Sequence, residues 1–150
     1  MTDPDLVRFV TAQEGVHETA LAELRAGRKR THWMWFVFPQ LAGLGRSPTA
    51  QHFAITGLDQ AARYLADPLL GPRLLEAVAV LTEAPAPSAE VLLGGVDAVK
   101  ARSSSTLFAR AAPDPAPFHA ALDRWYGGRE DPVTLRLLDA GPVPRSPGDR

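Results

Sequence analysis

The chain has no cysteine in its 150 residues. Disulfides, thiolate nucleophiles and cysteine-ligated zinc are therefore excluded. An excess of one charge is also missing: 16 Lys+Arg stand against 17 Asp+Glu, a net charge of −1 with neutral histidines. No global field draws such a chain to nucleic acid or anionic lipid. No apolar run approaches the ~18 residues of a membrane span. The opening MTDPDLVRF is acidic and polar, with no basic, apolar leader. A cytoplasmic protein with no membrane partner is the expectation. Lysine is reduced to Lys29 and Lys100, which suggests a GC-rich gene and says nothing of function.

Standard catalytic patterns are absent as well. His17, His32, His52 and His119 form no i, i+4 pair and no HExxH, so no metal site is expected. Ser103 to Ser105 lie outside any G-x-S-x-G turn, and the glycines near Arg46 lack the lysine and spacing of a P-loop. No cofactor is implied and no reaction can be named.

What remains is an ordinary globular composition, 45% hydrophobic and 22% charged, at the length of one domain. Its punctuation is helical. Asp3-Pro4, Ser47-Pro48 and Asp131-Pro132 pair a capping side chain with proline at the first helical position. Leu58 before Asp59 reads as a hydrophobic staple and cap, and Asp97 as the cap of a helix over 98–111. A second helix over 16–26 stops at Gly27. Leu74, Leu75, Val78, Ala79 and Leu81 give the stretch after Pro72 a wide apolar face, so that helix is expected at the centre. Trp33 to Phe38 reads as a short buried helix ending before Pro39, because a strand there has no partner. The expectation is an all-α fold: one compact domain, residues 1–140, of about eight short helices. It is not an up-down bundle, since the helices are too unequal. A proline-rich tail follows over 141–150.

Three polar groupings carry chemistry. Gly43, Gly45, Arg46 and Ser47 lead into a helix and suit an anion, or form no more than a capped turn. Arg28, Lys29, Arg30 and His32 beside Trp33 and Trp35 suit phosphates and stacked rings, or form a solvated loop. The run is too narrow to make nucleic acid an expected partner. In DAVKARSSSTLF, Asp97, Lys100, Ser103 and Ser104 fall near one helical face, with Arg102 and Thr106 a further i, i+4 pair. The hydroxyls serve close packing or a ligand, and the residues do not choose between the two.

The stretches ELRAGRKRTHWMWFVFPQLAGLGRSPTAQHFAI, YLADPLLGPRL, DAVKARSSSTLFARAAP and WYGGREDPVTLRLL resemble domain-of-unknown-function family 1810, bacterial conserved hypothetical proteins of which some are labelled calpastatin. The resemblance runs from about Leu6 to Leu138. It implies a monomeric, mainly helical fold of its own type and no mechanism. The matching pattern includes His32, Trp33, Gln40, Arg46, Ser47, Lys100, Arg102, Ser103 and Thr106. These become the candidate ligand-binding residues, since packing does not readily explain Gln40, Arg46, Lys100 and Arg102. Ser105 departs from the pattern, where a larger apolar residue is expected.

Two functions follow as expectations. One is a cationic pocket for a small anionic ligand, of nucleotide or sugar-phosphate type, where Arg46, Lys100 and Arg102 converge. The other is a structural or interaction domain whose arginines hold helix ends. Trp33, Trp35 and Phe38 are expected in the core under either reading.

Overall fold

The computed structural model describes residues 3–141; the tail over 142–150 lies outside that range. A 3-10 turn, Pro4–Leu6, leads into α1 (Val7–Gln13) and α2 (His17–Arg25). Next come α3 (Met34–Val37), α4 (Pro48–His52), α5 (Leu58–Ala66) and α6 (Leu70–Glu83). The chain closes with α7 (Ala89–Leu93), α8 (Gly95–Ala111), α9 (Ala116–Tyr126) and α10 (Pro132–Asp139). Among the described residues there is no strand, only an isolated parallel bridge between Leu41 and Ile55. The fold is all-α, with ten α-helices among the described residues rather than about eight. The short α3, α4 and α7 stand as separate elements because a proline, a glycine or a capping serine bounds each one.

Local capping chemistry fixes many of the ends. Asp3 accepts from the Asp5 N–H, Ser47 from Ala50, Ser88 from Val91 and Asp131 from Thr134. Two expected caps fail. Gly57 occupies the cap of α5, leaving Asp59 inside the first turn and Leu58 41% exposed rather than stapled. Gly94, at φ 87°, occupies the cap of α8. In both cases a glycine lets the helix begin before the acidic residue, which frees Asp97 for another role.

The centre is α8, not α6. Helix α8 packs on α5, α7, α9 and α10, and Ser103 to Ala109 are buried. Its serines and alanines are small, so neighbouring helices approach closely. Helix α6 buries Leu70, Leu74, Ala77, Val78 and Leu81 against α2, α5 and α9. That stripe leaves Leu75 42% exposed, and Ala79 is exposed as well. At Gly71 the α5–α6 corner is so tight that a Cβ would run into the Leu65 carbonyl.

Aromatic rings join the layers. Phe9 meets Tyr64 edge-on at 5.2 Å, Tyr64 meets Phe108, and Phe108 stacks on Phe118. Trp33 and Phe38 are 0% and 1% exposed, in the core as expected. Trp35 is only partly buried, because the four-residue helix α3 cannot turn both tryptophans inward.

Candidate functional site

Trp35 stands at the edge of the core, where the chain makes a loop excursion. The Ala42 N–H donates to the Ile55 carbonyl and the Ile55 N–H to that of Gln40, both at 2.8 Å. These bonds pinch the base of a flap, residues 43–54, that carries the glycine turn and α4. Within the flap, Ser47 Oγ accepts from the Ala50 N–H at 3.1 Å, and Gln51 Nε2 donates to the Arg46 carbonyl at 3.0 Å. Gly43 adopts φ 102°, which a side chain rarely allows.

Between flap and core lies a half-open cavity of about 330 Å³. Trp35, Gln40, Gly43, Gly45, Gln51 and Phe53 form most of its wall, and among the described residues no charged side chain lines it. An indole and a phenyl ring offer flat apolar faces, and two amides offer a donor and an acceptor each. A ligand head that fits is therefore planar, neutral and edged with hydrogen-bonding atoms. Arg46 follows lining Gly45, is exposed, and makes no ion pair among the described residues. A larger cavity, about 840 Å³, shares the wall Leu41 to Gly43 and runs toward α5 and α10.

Lys100 meets Trp35 without lining the cavity. Its Nζ sits 4.8 Å from the indole centroid and 3.7 Å from Asp97 Oδ1. Lys29 repeats the arrangement, with Nζ 5.0 Å from the Trp33 ring and 2.9 Å from Asp97 Oδ2. Both lysines of the chain thus converge on one carboxylate, each against its own tryptophan. Lys29 is the inward member of the basic run. Arg28, Arg30 and His32 stay exposed.

Glu23 holds that run in shape. Its carboxylate accepts from the Arg30 and Thr31 N–H groups, the Thr31 hydroxyl and the Trp33 indole N–H, at 2.6 to 3.0 Å. Burial pushes the Glu23 carboxyl up, but the bonds from Thr31, Arg30 and Trp33 outweigh it and bring it down to about 2.

The remaining expected residues serve a different junction. Arg102 lies two residues from Lys100, about 200° around the helix, and donates to the carbonyls of Arg129 and Glu130 at 3.0 and 2.8 Å. Ser103 Oγ donates to the Val99 carbonyl and meets Asp131 Oδ2 at 3.2 Å. Thr106 Oγ1 donates to the Arg102 carbonyl and accepts from the Asp131 N–H. These three lock the start of α10 onto α8. The expected convergence of Arg46, Lys100 and Arg102 is corrected accordingly: helical geometry turns Arg102 to the α9–α10 loop. Ser47 spends its hydroxyl on its cap, and Trp33 spends its N–H on Glu23.

Sequence reasoning missed Gln51 and Phe53 in the wall, and the pairing of Lys29 with Asp97. It also missed His17 and Glu76, joined at 3.0 Å across α2 and α6.

The family model described as a protein of unknown function, DUF1810, matches residues 3–138. The crystal structure of the conserved hypothetical protein Rv1873 from Mycobacterium tuberculosis is similar over 91% of this chain and 99% of that one. It shares 51% sequence identity, with a TM-score of 0.88. No curated protein matches the chain.

Proposed function

Because the chain belongs to the DUF1810 family of proteins of unknown function, we propose its role from the site itself: it binds a small anionic ligand of nucleotide type. The planar head enters the Trp35 cavity, and the anionic group lies at the rim beside Arg46. The observation that carries this reading is the partly exposed Trp35 indole facing a cavity with Gln40 and Gln51 in its wall. An indole against a neutral ring contributes stacking, and the amides read the ring edge. At about 330 Å³ the cavity is near the small end for ligand sites, enough for the head and not for the whole molecule. The anionic part therefore stays outside, where Arg46 offers a guanidinium fork. A sugar phosphate with no ring would leave both aromatic faces unused, so the nucleotide is favoured of the two.

Intrinsic fluorescence titrated with mononucleotides and dinucleotides tests the reading. Binding with a 1:1 end point is expected. Trp35→Ala, titrated by calorimetry because it removes the fluorescent reporter, should lose ~1–3 kcal/mol of affinity, the usual worth of a stacked base. Arg46→Ala should weaken nucleotides and leave the corresponding nucleosides unchanged. Failure of every nucleotide to bind the wild-type protein at millimolar concentration would refute the proposal.

A further inference from the structure

A cluster outside the Trp35 cavity ties α2 to α6. His17, the first residue of α2, is only 6% exposed, and its Nε2 lies 3.0 Å from Glu76 Oε1 on α6. Glu18 adds a second carboxylate. One donor atom from each of the three residues lies within 4.8 Å of the other two. The imidazole is fixed by the core, and both carboxylates are exposed at the rim.

The donor set is specific. One imidazole nitrogen with two carboxylate oxygens suits zinc and its transition-metal neighbours, while calcium and magnesium take oxygen alone. The spacing agrees. Ligand atoms at about 2.0–2.2 Å from a tetrahedral metal lie roughly 3.3–3.6 Å apart. The His17–Glu76 separation is already close to that. The Glu18 carboxylate, on an exposed side chain, lies within 4.8 Å of the other two donors.

Charge supplies an independent argument. Two carboxylates converge here, and neither Glu18 nor Glu76 pairs with a lysine or arginine among the described residues. Arg73, one turn before Glu76 on α6, turns instead to Gln13 Oε1 at 3.3 Å. Two carboxylates drawn together repel, and a divalent cation between them relieves that repulsion. The geometry points to a divalent transition-metal site of zinc type at His17, Glu18 and Glu76, with its remaining coordination positions open to water or an anion. A metal there bridges two packed helices and raises the stability of the folded chain.

The test titrates the metal-stripped protein with Zn²⁺ by calorimetry, and with Co²⁺ by visible absorption. One metal per chain is expected, with a higher melting temperature in Zn²⁺. His17→Gln and Glu76→Gln should each weaken Zn²⁺ at least tenfold. Glu18→Gln should weaken it too, and both glutamates are surface residues whose substitution preserves the fold if His17→Gln does not. Three results would overturn the site. They are no Zn²⁺ binding, equal affinity in the wild type and the Glu18→Gln/Glu76→Gln double variant, or Ca²⁺ and Mg²⁺ binding as tightly as Zn²⁺.

Discussion

The ammonium of Lys29 lies 2.9 Å from the carboxylate of Asp97, with 8% and 18% of the two side chains exposed. Lysine is rarely so enclosed without a partner. Removing the carboxylate by Asp97→Ala strands that charge beneath Trp33 and should cost about 3 kcal/mol. The Thr31 carbonyl, 2.6 Å from Nζ, keeps the loss at the low end of the usual range for a broken buried pair. Removing both charges, in Lys29→Met/Asp97→Ala, should cost less than Asp97→Ala alone. Urea unfolding of the two variants checks this, and a double variant no more stable than the single one would show that the pair is not what holds the loop.

Ser105 is buried in α8, and its hydroxyl has no partner among the described residues. A buried hydroxyl left unpaired costs about 1 kcal/mol or more relative to an apolar atom. Ser105→Ala should therefore stabilise the fold by that order, read as a rise in melting temperature. Thr106→Val, one residue on, should do the opposite. That hydroxyl accepts from the Asp131 N–H at 2.8 Å, so the substitution orphans a buried donor at the start of α10.

Stability in acid should follow Glu23. Its folded value, about 2, lies below the ordinary 4.5. A carboxyl lowered on folding contributes fully above its unfolded value. That contribution fades as pH falls from about 4.5 toward 2. Glu23→Gln should thus be less stable than wild type at neutral pH, and the gap should narrow below pH 4.5. Melting temperatures across pH 2–7 provide the measurement, and a pH-independent gap would deny Glu23 this role.

Some of this was legible in the sequence because it is local. Ser47 and Asp131 each cap an N–H three residues away, a distance the sequence itself displays. Asp97 looked the same, but Gly94 let α8 begin earlier and the carboxylate went to Lys29. The central place of α8 was hidden because serine and alanine carry little hydrophobic signal, while Leu75 carried much and faces out. At the site, Gln40 and the glycine turn share one wall, but Trp35, expected in the core, faces that cavity as well. Arg102 was separable from Lys100 on helical phase alone. The meetings of Lys29 with Asp97 and of His17 with Glu76 depend on how distant helices pack, which spacing along the chain does not show.

The two tryptophans of α3 and its cap should part under the same substitution. Trp33 is 0% exposed and bonded to Glu23 at 3.0 Å. Its loss leaves a cavity and frees one of the four bonds that hold the basic loop. Trp33→Ala should cost ~3–5 kcal/mol, much of the stability of a domain this size. Trp35 is partly exposed, with Lys100 against its ring and the 330 Å³ cavity beside it. Less of its surface is removed from water. Trp35→Ala should cost well under half as much while abolishing the nucleotide-dependent change in fluorescence. Thermal melts and ligand titrations on the same pair of variants separate the roles. Equal destabilisation would return Trp35 to the core, and a Trp33 variant as stable as wild type would remove the core's largest side chain from its supposed place.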